Sequence, residues 1–412
     1  MNISFVNNQY RLGGAETVVR QLHEGLATAG HRTWLYVALG KDYPWEAGVR
    51  PLYPRLLSRL DHSRWHGLAE RFFPRPAWTD SNFRKLTQSP ADIIHVHSFH
   101  GDYAGLESLA YVAKTKPVVW TFHRFWGVTG GCDHPGDCRR YLESCGQCPR
   151  VNEWPICGTD NTREQLKLKK ETIARAPITV VSPSHHLAGV VRQSPIGKAW
   201  RVEVIPNGVD PQQFGFARKR DPHFRRSLGL SENGLIVLVV IRDFKDGLKG
   251  FDTIKRALEQ LPAASDVTFC FAGQNAAWAI GQCPTRFRYA DFGYVSDRLR
   301  LAQLFEAADV FLFASPGENF PCVILEAMSA GCCVVSTPTD GVLEQIEDRV
   351  SGLLAESFQP EDLAKALAFA LEHPDEVRTF SVSARRRVAA EFSEKAMIDR
   401  HIALYQEILG KG

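Results

Sequence analysis

The residues best suited to chemistry lie together in Pro316-Gly317-Glu318-Asn319-Phe320-Pro321-Cys322-Val323-Ile324-Leu325-Glu326-Ala327-Met328, directly after an apolar run ending at Phe313. Asn319 or Phe320 is suited to cap a helix there and Pro321 to open it, because a first helical residue has no use for its N–H. The free N–H groups of Val323, Ile324 and Leu325 would then form an anion site, with Glu318 in the loop before it and Glu326 about one turn inside. A carboxylate accepts two O–H bonds, so this pair could hold the diols of a sugar nucleotide; a solvated Glu and a helix-capping Glu are the plainer alternative. Phosphate also needs cations. Arg242 follows the apolar run Leu235–Ile241 and Lys249 precedes Gly250, so both would emerge at one carboxyl edge of a sheet and could hold a diphosphate, or stand as ordinary exposed loop residues.

Gly13-Gly14-Ala15-Glu16 stands where a first strand would turn into a helix, and glycines there let a ligand approach backbone. The third glycine of the dinucleotide fingerprint is missing, which disfavours a nicotinamide or flavin enzyme; a tight turn without ligand is the alternative. Five of the ten cysteines lie between Cys132 and Cys157. Cys145 and Cys148 have the bite of a zinc knuckle, and Cys132 and Cys138 could complete a tetrahedral structural Zn2+ site, although their spacing is wider than usual; free or transiently oxidised thiols are the other reading. Residues 50–78 interleave Arg50, Arg55, Arg59, Arg64, Arg71 and Arg75 with leucines and aromatics. That stretch either covers a sheet or forms an interfacial helix on anionic lipid.

Each half of the chain supplies a frame for these residues by repeating a short β-branched run, a Gly-containing turn and an amphipathic helix. Strands are predicted at Ile3–Val6, Trp34–Ala38, Ile93–Val96, Val118–Phe122 and Ile178–Val181, then at Leu235–Ile241, Val267–Phe271, Val310–Phe313 and Cys333–Ser336. Runs apolar on both faces belong in parallel sheets covered by helices, which gives two doubly wound α/β domains. Helices are predicted after Gly13-Gly14 as far as Gly30, and at Phe251–Leu261, Leu299–Ala307 and Pro360–Leu371. The expected divisions are 1–205 with a Cys-rich insert at 127–160, 206–392, and a last helix within 393–412. Pro206 and Asn207-Gly208 interrupt regular structure at the join.

At 412 residues the chain exceeds one core, and 44% hydrophobic with 23% charged residues is a globular composition. No apolar run approaches the ~20 residues that span a bilayer, and Met1–Phe5 lacks the features of a signal peptide, so a cytoplasmic protein is expected. The net charge of +3 divides unevenly: residues 1–200 hold 25 Lys+Arg against 17 Asp+Glu, leaving 24 against 29 in the remainder. The basic half is the one suited to an anionic partner, and no nucleic-acid partner is expected.

Taken in order, these residues resemble the retaining glycosyltransferases of the GT-B fold, family 4, over nearly the whole chain. The resemblance rests on the Gly13–Glu16 loop, Ser182-Pro183-Ser184, Ile205–Asp210, Arg242 with Lys249-Gly250, Phe292-Gly293-Tyr294-Val295, and above all the Glu-x7-Glu of Glu318 and Glu326. The bacterial exopolysaccharide branch is similar in also carrying a Cys-rich segment after Trp-Thr-aromatic-His, here Trp120 to His123. It implies two Rossmann-like domains facing a central cleft, the acceptor in the first, the donor in the second, and a last helix around Ser393–Leu409 crossing back to the first. It further implies transfer of a hexose from a nucleotide-diphosphate sugar to a polyprenyl-diphosphate-linked or oligosaccharide acceptor, with no catalytic metal; contact with the inner face of the cytoplasmic membrane would follow from the interfacial reading of residues 50–78. By position, Arg242 and Lys249 would bind the diphosphate, Glu318 the sugar hydroxyls and Glu326 the ribose. Asn319, Phe320, Pro321, Val323 and Ile324 would complete the donor site, Gly13 and Gly14 would lie over the phosphates, and His123 would stand near the sugar. Arg124 replaces an Asp common in the family, Ile241 a Gly, and Asp340–Glu344 a Gly-Gly-x-Pro-Glu loop, which leaves the identity of the sugar open. A hydrolysing sugar-nucleotide epimerase of the same architecture and a non-catalytic sugar-nucleotide sensor are the competing readings.

Overall fold

The computed structural model describes residues 1–10, 13–38, 48–52, 75–101, 103–262 and 266–410. Most of the Arg-rich stretch, residues 53–74, lies outside them, and with it the expectation of a lipid-docking helix. The chain forms two compact units, Met1–Pro206 with Met397–Gly412, and Asn207–Ala396.

The first unit is built on strands β1 (Asn2–Asn7), β2 (Arg32–Val37), β3 (Val49–Pro51), β4 (Ile93–Val96), β5 (Val118–Thr121), β6 (Ile178–Ser182) and β7 (Arg201–Val204), in the order β3-β2-β1-β4-β5-β6-β7. All its pairings are parallel. Every residue of β4 and β5 is buried, as strands covered on both faces must be. The helix Gly14–Thr28 presses Val18, Leu22 and Leu26 onto the sheet, and Gly30 at φ +84° ends that segment. The last helix, Glu394–Ile408, packs within this unit: Tyr405 Oη lies 2.6 Å from His95 Nδ1, and Arg201 Nη2 donates to Glu407 Oε2 at 2.6 Å. Gly25 admits it, because a Cβ there would collide with Ile398.

The second unit has β8 (Leu235–Asp243), β9 (Val267–Gln274), β10 (Arg288–Asp291), β11 (Val310–Phe313), β12 (Cys333–Ser336) and β13 (Leu353–Leu354), in the order β10-β9-β8-β11-β12-β13, again parallel. Successive residues of β8 feed opposite faces. Ile236 and Leu238 join a cluster with Phe305, Ile324 and Leu325, while Val237 and Val239 join Ile254, Leu258 and Leu367. Each such side chain contributes about 1.5–3 kcal/mol when fully buried. Four strands were not predicted, β3, β7, β10 and β13, and each is the edge of its sheet. Among the described residues no helix is long and apolar enough to cross a membrane.

Candidate functional site

In the second sheet the strand order reverses between β8 and β11, so their carboxyl ends flank the crevice where doubly wound sheets bind ligands. Arg242, exposed, is at the end of β8, and the Glu318 loop follows β11. Gly250 draws the two loops together. Its φ is +77°, and a Cβ there would collide with the carbonyl of Ala314 just beyond β11. Lys249 is thereby set against the loop, its Nζ 2.9 Å from Glu318 Oε1, and Ser315 Oγ donates to the same oxygen at 3.2 Å. Both side chains keep some solvent exposure, so the pair adds little to stability, but it fixes where the ammonium stands.

The helix Cys322–Ser329 begins one residue later than the sequence predicted. Pro321 is its cap, with φ −68° and ψ 122°, rather than its first residue. The Pro321 carbonyl accepts from Ile324 N at 3.2 Å and from Gln345 Nε2 at 3.0 Å. Ile324 therefore leaves the expected set of free N–H groups, and the donors without an intrahelical acceptor shift to Cys322 and Val323. Asn319 and Phe320 are buried and do not cap: Asn207 Nδ2 donates to the Phe320 carbonyl at 2.9 Å, and a Cβ on Gly341 would collide with the carbonyl of Asn319. Glu326 is largely buried; burial raises its carboxyl pKa, opposed by the Arg298 guanidinium 4.0 Å away. Arg298 and Gln345 were not singled out from sequence, since each reaches this segment from elsewhere in the chain, and Ser315, only three residues before Glu318, was overlooked beside it.

In the first unit the reversal falls between β1 and β4. Gly13 and Gly14 are exposed at the start of the helix after β1, Gly13 in ordinary extended backbone. His123 lies just beyond β5, half-buried, with its Nε2 3.0 Å from His97 Nδ1 and the two rings stacked at 5.3 Å. His97 lies 4.2 Å from the ring of His95, whose Nε2 is 2.7 Å from Thr121 Oγ1. Burial lowers all three pKa values, and His123, beside Arg124 and His100, is held down to about 3. The stack is therefore neutral, with one hydrogen shared between His97 Nδ1 and His123 Nε2. His95-x-His97 was the overlooked signal, two imidazoles at the period that puts side chains on one face of a strand.

Cys132, Cys138, Cys145 and Cys148 are half-buried and close enough to influence one another; burial, above all, pushes the Cys132 thiol up to about 12. Cys145, Gly146 and Gln147 all have positive φ, a turn held by Arg140 Nη1 donating to the carbonyls of Gly146 and Gln147 at 2.9 and 2.7 Å. Among the described residues, however, no group of three or more His, Cys, Asp or Glu side chains is placed to hold a metal ion. The expected zinc set thus does not close on a common point. No zinc is assigned to the four residues.

The family model for glycosyl transferases group 1 matches residues 221–387, and that for Glycosyltransferase Family 4 matches residues 12–213. The chain is 24% identical to “Putative colanic acid biosynthesis glycosyl transferase WcaC” of Escherichia coli (strain K12), over 99% of this chain and 100% of the other. HepE of Anabaena, solved in complex with UDP and glucose, superposes with a TM-score of 0.70 at 18% identity over 99% and 100% of the two chains. Sucrose-phosphate synthase of Thermosynechococcus elongatus gives 0.73 at 20% identity over the full length of both.

Proposed function

Because the chain belongs to the group 1 glycosyltransferases and has their GT-B fold, we propose that it transfers a hexose, with retention, from a nucleoside diphosphate sugar to a lipid-linked or oligosaccharide acceptor in bacterial surface polysaccharide assembly. The observation that carries this reading is the Lys249–Glu318 pair, set beside Arg242 and a helix start at the β8/β11 crevice. A cation, a second cation and N–H groups without an intrahelical acceptor suit a diphosphate, and the adjacent carboxylate suits the hydroxyls of the sugar it carries. Glu326, farther along the helix, is suited to a ribose.

In the proposed step the bond between sugar C1 and the phosphate oxygen breaks, with its electron pair passing to the diphosphate. The acceptor oxygen bonds C1 from the same face, and its proton passes to the departing phosphate. Arg242, Lys249 and the N–H groups of Cys322 and Val323 stabilise the charge that grows on the diphosphate. Lys249 is prepared for this, since Glu318 already holds its ammonium in place and little reorganisation accompanies binding. His123 and the Gly13-Gly14 turn are the first unit's proposed contributions, His123 as a neutral hydrogen-bonding group.

A panel of UDP-, GDP- and dTDP-sugars, each added to the full chain in a thermal unfolding assay, tests the donor class. One nucleotide series should raise Tm, by the equivalent of about 2.7 kcal/mol at a hundredfold excess over Kd. Failure of every sugar nucleotide to stabilise the protein would contradict the proposal.

A further inference from the structure

Trp154, in the cysteine-rich insert, is a large apolar side chain left 56% exposed, yet its surroundings hold it in one place. The His100 ring lies 5.2 Å from the indole, and the Arg124 guanidinium 5.9 Å from its centroid. His100 and Arg124 are in turn fixed by one buried carboxylate: Asp133 Oδ2 accepts from Arg124 Nη1 at 3.0 Å, and Asp133 Oδ1 is 3.3 Å from His100 Nε2. Beneath them His100 rests on the buried Trp126 at 5.7 Å. Lys169 Nζ sits 3.4 Å over that second indole and donates to the Trp126 carbonyl at 2.6 Å. A burial cost is thus accepted at Asp133 and Lys169 beneath an aromatic face turned to water.

Arg124 has a further property that packing does not require. Its side chain is 44% exposed and, among the described residues, the bond from Nη1 to Asp133 is the one hydrogen bond it makes. The guanidinium fork therefore keeps an open edge beside the indole. Arg124 also directly follows His123 in the chain. An exposed indole matches the C–H face of a pyranose ring, and an open guanidinium edge matches a pair of anionic oxygens. The patch spans one aromatic ring and one charge, the scale of a sugar rather than of a protein partner.

We propose that Trp154, Arg124 and His100 form an acceptor subsite for an anionic glycan: a pyranose stacks on Trp154 while carboxylate or phosphate oxygens bind the open edge of Arg124. The excess of basic residues over acidic ones in residues 1–200 favours the same ligand charge. Only the description of this ligand as an acceptor rests on the transferase reading; the binding itself does not.

Three probes test it by isothermal titration on the full chain without donor: a glucuronate-containing tetrasaccharide, a neutral glucose tetrasaccharide, and a hexose 1-diphosphate on a short prenyl chain. At least one anionic probe should bind about tenfold or more tighter than the neutral one, a difference of ~1.4 kcal/mol. Which of the two binds tells whether the anion is a uronate or the lipid diphosphate. Trp154→Ala should weaken that binding about tenfold and Trp154→Phe recover part of it. Arg124→Gln should erase the preference for the anion, and Arg124→Lys, which retains a cation for Asp133, should restore it only in part. Equal affinity for all three probes, no binding of any, or unchanged binding by Trp154→Ala would overturn the subsite. Thermal stabilisation by sugar nucleotides, measured on the same wild-type and Trp154→Ala samples, keeps the two proposals separate. Loss of that stabilisation in the wild type sinks the donor reading alone.

Discussion

Gly250 and Glu318 divide a task that neither could perform alone. The first lets the Lys249 loop approach β11, and the second receives the ammonium that arrives, so a diphosphate would meet a cation already in position. Replacing Gly250 by Ala puts a Cβ into the Ala314 carbonyl and forces a residue with a side chain to hold φ +77°. The expected cost is about 1–3 kcal/mol of stability, together with loss of stabilisation by the sugar nucleotide that protects the wild type. Urea unfolding with and without that ligand measures both, and an unchanged midpoint with full ligand response would show that the close approach is not needed. The residues proposed for the donor could be singled out in the sequence because they follow strands at motif spacing. The His95-x-His97 spacing was readable and overlooked, but the contact of His95 with Tyr405 was not, since it spans 310 positions and no local pattern announces it.

The elements were readable to the degree that burial makes them regular. Interior strands such as β4, β5, β11 and β12 are buried throughout and mostly apolar, and they were predicted from their apolar residues. The edge strands have one neighbour each and less to bury: Arg-Tyr-Ala-Asp of β10 and Arg-Val-Glu-Val of β7 carry charge, and β13 is two residues long. Their pairing is set by the sheet they join rather than by their own sequence. The helix after β11 was placed but begun one residue early, because a proline can serve as cap or as first residue and the sequence does not distinguish them. Asp309, just before β11, ties these elements together from inside the second unit. It accepts from Arg225 Nη2 at 2.8 Å and from Ile236 N at 3.0 Å, with both side chains almost fully buried. Asp309→Ala leaves the Arg225 cation buried without its counter-charge and should cost about 3–5 kcal/mol in chemical unfolding. The exposed pair of Arg256 with Asp252 should cost little when Asp252 is replaced by Ala in the same assay. Similar losses from the two substitutions would contradict this account of the core.

At the scale of the whole molecule, the two units share an architecture but differ in how they respond to acid. The first unit encloses His95, His97, His123 and His401, all lowered by burial from the ordinary value of 6.5, His123 to about 3 and His401 to about 4. Above pH 6.5 these groups are neutral in both folded and unfolded chains, and their contribution is fully present. As pH falls from 6.5 towards 4, the unfolded chain binds protons that the folded one refuses, and stability is lost at about 1.4 kcal/mol per pH unit for each such group. The urea midpoint of the first unit should therefore fall over that range. His401→Asn should make the fall shallower by roughly one proton, whereas a flat profile would mean that the stack is not held neutral. Tyr405, Thr121, Arg124 and Asp133 are the neighbours through which other substitutions would modify this response. The two units also serve separate halves of one proposed reaction, a diphosphate site on the second and an anionic-glycan platform on the first. Of these the diphosphate site is central, and the most direct test is sugar transfer by wild type, Arg242→Ala and Lys249→Ala, using the sugar nucleotide that stabilises the wild type and thermal unfolding as the control for folding. The account predicts that each substitution lowers turnover ~10²-fold or more with the fold intact; near-wild-type transfer by both variants would contradict it.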